Sequence, residues 1–239
     1  MREAGRVNAL ALAAVRELIR PGVTTAELNA AAEEVIRKHG GIPTFLHYPG
    51  PYPYPATTCI SINEELVHGI PGKRKLHAGD IVSVDCGTTL EGFVGDSAFT
   101  VGVGEISAAA LHLIETTEQA LYVGIEQMRA GNRTGDVSSA IQRYVEQRGF
   151  NVPREYTGHG VGRKMHEGPQ VPNYGTPGRG PVLRPGMTIA LEPMLLAGSY
   201  KTRVMPDEWT VVSADGALTA HFEHSVAVTE GEPVILTLP

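Results

Sequence analysis

Five side chains in this 239-residue sequence could do chemistry together: Asp85, Asp96, His159, Glu192 and Glu223. Residues 81–99 read as two strands around a turn near Leu90-Glu91, which predicts Asp85 directly opposite Asp96. Directly opposed side chains on one sheet face have Cβ atoms about 5 Å apart, and like charges in that relation are destabilising, so something positive is expected between them. Asp85 ends a run of buried-type residues, which argues against two solvated edge carboxylates. Glu192 likewise ends the apolar run Ile189-Ala-Leu, where an unpaired carboxylate would be costly. Glu223 lies in an alternating segment that puts Leu218, Phe222 and Val226 on one face and Glu223 on the other; alternation alone favours an ordinary solvent-facing acid on a half-buried strand.

The histidines differ in their surroundings. His159 and His166 share the segment Thr157 to Val171, with glycines at 158, 160 and 162, a usage that suggests close backbone approach to a bound group. His39, His47, His77, His112, His221 and His224 have no such flanks and read as structural. Four carboxylates converging with one imidazole carry about −4, which is prohibitive to bury uncompensated; two divalent ions would neutralise it. Oxygen-rich ligation with one imidazole suits Mn²⁺, Fe²⁺ or Co²⁺ and admits Zn²⁺. A paired-metal site bridges a water, lowers its pKa and polarises a carbonyl, the requirements of amide hydrolysis.

An internal repeat supplies the elements that would position these groups. Ile19-Arg-Pro-Gly-Val-Thr-Thr leads into a helix ending near Lys38-His39-Gly40, and Met128-Arg-Ala-Gly-Asn-Arg-Thr leads into one ending near Gln147-Arg148-Gly149. Thr25 and Thr134 are the candidate N-caps. Farther on, Leu76 to Asp85 resembles Leu183 to Glu192, a turn followed by a buried strand that ends in a carboxylate. A duplicated helix-helix-strand unit predicts a single α+β domain over residues 1–239, its halves approximately 1–105 and 106–239, with both carboxylate-ended strands at one cleft.

Composition bounds the rest. The net charge is −6 with no block of like charges, which argues against a nucleic-acid track or an anionic membrane surface. No run reaches the roughly 18 apolar residues of a membrane span. Arg2 and Arg6 before the apolar Ala9 to Val15 superficially match a secretory signal, but Glu17 and Arg20 continue the same helical pattern. Two unpaired-type cysteines, Cys59 and Cys86, point to a reducing, cytoplasmic setting.

With these residues in view, the sequence resembles the methionine aminopeptidases of the short bacterial type I form, a family with the pseudosymmetric pita-bread fold. The matching stretches are Cys59-Ile-Ser-Ile-Asn-Glu-Glu-Leu-Val-His68-Gly-Ile-Pro, Val84-Asp85 to Asp96, Gly158-His159-Gly-Val-Gly to His166-Glu-Gly-Pro, Leu191-Glu192-Pro-Met and Phe222-Glu223-His-Ser. The resemblance implies two divalent metal ions (Co, Mn, Fe or Zn), with Asp85 on one ion, Asp96 and Glu223 bridging both, and His159 and Glu192 on the other. It implies that Glu192 shuttles a proton, that His68 contacts the scissile amide region and that His166 supports the carbonyl oxygen. It also implies a methionine pocket lined by Cys59, Trp209, Met165, Tyr54 and Phe45. The expected substrate is the N-terminal methionine of nascent polypeptides with a small second residue, met by a monomer in transient ribosome association. Three departures stand out: Met165 replaces the family's usual Phe, Pro49 to Pro55 looks expanded, and relatives have a short lead-in before Met1-Arg-Glu-Ala-Gly. The interval from His166 to Glu192 is too short for the helical insertion of the type II form. A proline-directed peptidase of the same fold would keep all five ligands but normally carries a large extra N-terminal domain. Binding modules of this fold have lost ligands that are present here.

Overall fold

The computed structural model describes residues 1–239. Four helices carry the apolar stripes: α1 (Arg2–Leu18), α2 (Thr25–Lys38), α3 (Ala108–Glu126) and α4 (Thr134–Glu146). Between and after them run β1 (Ile42–Pro43), β2 (Thr58–Ile62), β3 (Glu65–Val67), β4 (Ile81–Leu90), β5 (Phe93–Gly102), β6 (Thr157–Gly160), β7 (Glu167–Pro172) and β8 (Thr188–Leu191). The remaining strands are β9 (Met194–Leu196), β10 (Thr202–Val204), β11 (Val211–Ser213), β12 (Thr219–His221), β13 (Glu223–Ala227) and β14 (Val234–Ile235).

Nine strands form one antiparallel sheet in the order β1-β4-β5-β13-β8-β6-β7, with β2 added to β4 and β14 to β13. Helices α1 and α2 pack together, as do α3 and α4, which is the expected repeat of helix pairs on a shared sheet. The stripe spacing explains the packing: α1 buries Ala4, Val7, Ala11 and Val15, three to four residues apart and so on one face. One continuous core takes Ala11 and Val15 from α1, Leu28 and Ile36 from α2, Leu113 and Leu121 from α3, and Val137 and Ile141 from α4. It includes Val82 and Val84 of β4 and Ile189 and Leu191 of β8, so the repeated strands are clamped between the helix pairs and the cavity. No helix is long and apolar enough to cross a membrane. Cys59 and Cys86 are buried and free; Cys59 faces Asp85 across β2–β4, whereas Cys86 is the next residue along and points to the opposite side.

Three local expectations change. The hairpin turn is Glu91-Gly92, with Leu90 paired to Phe93, because both turn residues adopt positive φ (51° and 76°), as a two-residue primed turn requires. Asp85 therefore pairs with Ala98, and Asp96 with Gly87, which makes the two carboxylates diagonal neighbours on one face rather than direct opposites. The helix caps also lie one residue earlier. Thr24 caps α2 by accepting from Glu27 N while Glu27 accepts from Thr24 N, and the Asp136 carboxylate accepts from Arg133 N at the start of α4, leaving Thr25 and Thr134 as first helical residues. Finally, the glycines around His159 admit neighbouring chain rather than a ligand: a methyl at 158 would lie 2.7 Å from Ala190 O, and one at 160 would lie 2.3 Å from Gly168 O.

Helix α1 reaches the sheet through a similar close approach, since a methyl on Gly95 would stand 2.6 Å from Gly5 Cα. Gly95→Ala must push α1 off β5 and is expected to lower unfolding stability by about 1–3 kcal/mol. The control Gly72→Ala, with nothing within 4 Å of the added carbon, should be near neutral. Equal denaturation midpoints for the two variants would contradict this packing.

Candidate metal centre

Strands β5, β13 and β8 lie side by side, with Glu223 paired to Ala98 and His224 paired to both Ser97 and Leu191. That seam joins the two halves and sets Asp96, Glu223 and Glu192 around one point, with Asp85 entering from β4 and His159 from β6. All five line a single cavity of about 150 Å³. Asp96, His159 and Glu223 each offer a ligand atom within 4.8 Å of the others. His159 Nε2 lies 3.4 Å from Glu192 Oε1 and 3.8 Å from Asp96 Oδ2.

The electrostatics are severe. Burial, followed by the charge of Asp96, pushes the Asp85 carboxyl well above its usual range. Glu192 and Glu223 are raised well above theirs for the same two reasons, with Asp85 adding to both. Asp96 is pushed up to about 7 by burial, opposed by its close contact with Glu223. Oxygens of Asp85, Asp96 and Glu223 are buried with no hydrogen-bond partner. Orphaned anionic oxygens at this density fit divalent cations, because a metal supplies to several oxygens at once the compensation that hydrogen bonds do not. His159 is oriented for the same purpose. Its Nδ1 sits 3.0 Å from the Gly160 carbonyl, an acceptor only, so Nδ1 carries the proton and the Nε2 lone pair faces the carboxylates. Burial lowers its pKa to about 4, which keeps that lone pair free.

The other residues singled out from sequence also come to this cavity: His68, His166, Cys59, Tyr54, Met165, Trp209 and Phe45. Phe45, Tyr54, Cys59 and Met165 form a small apolar cluster of their own, against which Trp209 packs. Tyr54 and His68 meet the indole edge to face, with ring centres 5.1 and 6.3 Å away. His68 has positive φ (61°), and its pKa is lowered to about 4 by burial and by nearby His166.

Two further residues belong to the site. His221, read as structural, is buried with Nε2 at 3.7 Å from Glu192 Oε2 and 3.9 Å from Glu223 Oε2, and without a hydrogen-bond partner. Its signal was the two-residue spacing from Glu223, which puts both side chains on one side of an extended segment. The chain passes from β12 to β13 at Phe222, so Glu223 is buried at the seam rather than solvent-facing. Tyr48 reaches His166 across 118 residues of sequence, a contact no spacing announces.

Residues 1–230 match metallopeptidase family M24. The chain belongs to that family. A methionine aminopeptidase of Clostridium perfringens is 51% identical over 238 residues, covering 100% of this chain and 94% of that protein. The crystal structure of a methionine aminopeptidase from Thermotoga maritima superposes with a TM-score of 0.97 at 47% identity, covering 100% of this chain and 95% of its own. A prolidase from Pyrococcus horikoshii shares the fold at a TM-score of 0.78 and 22% identity, with 99% of this chain covering 60% of it. In this M24 chain the candidate metal-binding group is thus Asp96, His159 and Glu223, with Asp85 and Glu192 beside it.

The carboxylate shifts set a stability test. An unfolded-chain histidine is still about half protonated at pH 6.5 whereas the buried histidines are held neutral, so histidines and acids pull the pH dependence in opposite directions up to about pH 7.5. A carboxyl whose folded pKa is raised binds a proton that the unfolded chain has released; its contribution is complete below the ordinary carboxylate range and is lost as pH rises through the folded value. Asp96, raised to about 7, loses its contribution as pH rises to about 7, where the histidines oppose it, so the readout is the effect of metal: Mn²⁺ should stabilise chelator-treated protein increasingly as pH rises towards about 7, changing the slope of stability against pH. A slope unchanged by metal, read from melting temperatures, would contradict the assignment.

Proposed function

We propose that this chain removes the N-terminal methionine from newly made polypeptides whose second residue is small, using two divalent cations. The observation that carries the reading is the shared cavity: an apolar pocket of Phe45, Tyr54, Cys59, Met165 and Trp209 opens onto the carboxylate cluster. The relatives of Clostridium perfringens and Thermotoga maritima, similar over nearly their whole length, carry the name of that activity. A flexible thioether suits walls of sulfur and aromatic rings, and about 150 Å³ admits a guest near the size of benzene.

Asp85 would hold one ion, His159 and Glu192 the other, and Asp96 with Glu223 both; the close contact of the last two carboxyl groups supports a shared role. Bound divalent cations of Mn, Fe, Co or Zn type supply Lewis acidity to the scissile carbonyl and acidify the attacking water. Glu192, whose carboxylate stands 3.4 Å from the His159 imidazole at the cluster, would take the proton released by that water and pass it to the departing amine. His166 donates to the carbonyl oxygen as it becomes tetrahedral, and His68 holds the amide region against Trp209. Two buried free cysteines fit a reducing, cytoplasmic setting, and the reading is of a monomer that meets nascent chains in transient association with the ribosome.

Metal-stripped protein given Mn²⁺, Fe²⁺, Co²⁺ or Zn²⁺ separately should release methionine from Met-Ala-Ser, spare Met-Lys-Ser and leave Ala-Pro intact. Preferred cleavage of Ala-Pro would install a proline-directed activity instead, and no cleavage with any metal would leave a binding module.

A further inference from the structure

His166 touches the substrate in the reading above, but an imidazole can present either a lone pair or an N–H, and only the second stabilises a developing oxyanion. What selects the tautomer lies on the proline-rich segment that follows β1. Its base is closed by backbone hydrogen bonds from His47 N to Tyr54 O at 2.8 Å and from Tyr54 N to Tyr48 O at 2.9 Å, and Tyr48 N donates to Phe45 O at 2.9 Å. Its tip is tied down where the Tyr52 hydroxyl donates to the Asp207 carbonyl at 2.9 Å. The backbone that carries Tyr48 is therefore fixed at both ends of the segment.

From that position the Tyr48 hydroxyl meets His166 Nδ1 at 2.5 Å, with the rings edge to face and centres 5.3 Å apart. The phenol makes no other hydrogen bond within the protein, so Nδ1 is the one acceptor for its proton. Burial raises the phenol above its ordinary pKa, so it keeps that proton at neutral pH. An O–H donated to Nδ1 leaves the ring proton on Nε2, the nitrogen remaining for the cavity.

We propose that Tyr48 is a positioning residue: its hydroxyl locks His166 in the Nε2–H tautomer, so that a donor faces the carbonyl oxygen of the substrate. The neighbouring imidazole shows the complementary arrangement. His159 lies with its ring centre 4.3 Å from that of His166, yet its Nδ1 meets a carbonyl and must donate, which leaves a lone pair at Nε2. Two adjacent histidines are thus set in opposite tautomers by opposite partners, a carbonyl acceptor for the one that faces the carboxylates and a hydroxyl donor for the one that faces the substrate.

The proposal rests on the amide-hydrolysing reading for its catalytic consequence but not for the tautomer itself, and the test separates the two. Long-range ¹H–¹⁵N correlation spectra of histidine-labelled, Zn²⁺-loaded protein near neutral pH should show His166 as the Nε2–H form alone. In Tyr48→Phe the same ring should show both tautomers, with zinc content and melting temperature unchanged. On Met-Ala-Ser, Tyr48→Phe should lower kcat roughly 3- to 10-fold with little change in KM, the effect of one hydrogen bond. His166→Ala should lower kcat about 10²- to 10³-fold, and adding Tyr48→Phe to it should cost nothing further. A wild-type His166 protonated at Nδ1 overturns the proposal, as does an undiminished Tyr48→Phe effect in the His166→Ala background. If wild-type protein cleaves no peptide, the hydrolytic reading fails while the wild-type spectrum still decides the tautomer.

Discussion

Asp85, Asp96, Glu192 and Glu223 crowd into a cavity whose walls remove them from water, and their mutual repulsion is the constraint to which the surrounding architecture answers. Isolated carboxylates would relax such a cluster by turning outward or by taking up protons. Here they cannot turn, because β5, β13 and β8 are joined by continuous antiparallel pairing, with both flanks held by helix pairs that share one core. Proton uptake is the relief left to the metal-free cluster, in line with its raised carboxyl pKa values, and divalent cations would take the place of those protons on side chains that the apolar core holds in position.

The same rigidity divides the cavity into two chemical regions. On one side stand the carboxylates and the Nε2 lone pair of His159; on the other lie the rings and sulfurs of Phe45, Tyr54, Cys59, Met165 and Trp209. His68 and His166 line the same cavity, His68 against the Trp209 indole and His166 beside the His159 ring. Membership of family M24 is consistent with this division of labour.

Much of this was legible in the linear sequence, for identifiable reasons. Asp85 and Glu192 stood out because each closes an apolar strand, and the helix pairs because amphipathic spacing and flanking turns recur at nearly one offset. The hairpin register was off because the pattern 81–99 allows a turn at either of two adjacent steps, and only the positive φ of Glu91 and Gly92 decides between them. His221 escaped notice because a histidine at the end of a short strand has no flanking glycines, although its spacing from Glu223 was visible. Tyr48 could not have been found at all, since its partner is brought to it by tertiary packing.

The central claim is that Asp96 serves two ions at once from the seam between the halves, and isothermal calorimetry on Asp96→Asn tests it most directly. An amide supplies no charge to either ion, so the account predicts that wild-type protein binds two Mn²⁺ or Co²⁺ ions and that the variant loses affinity for both. Two ions still bound to Asp96→Asn with wild-type affinity would contradict it.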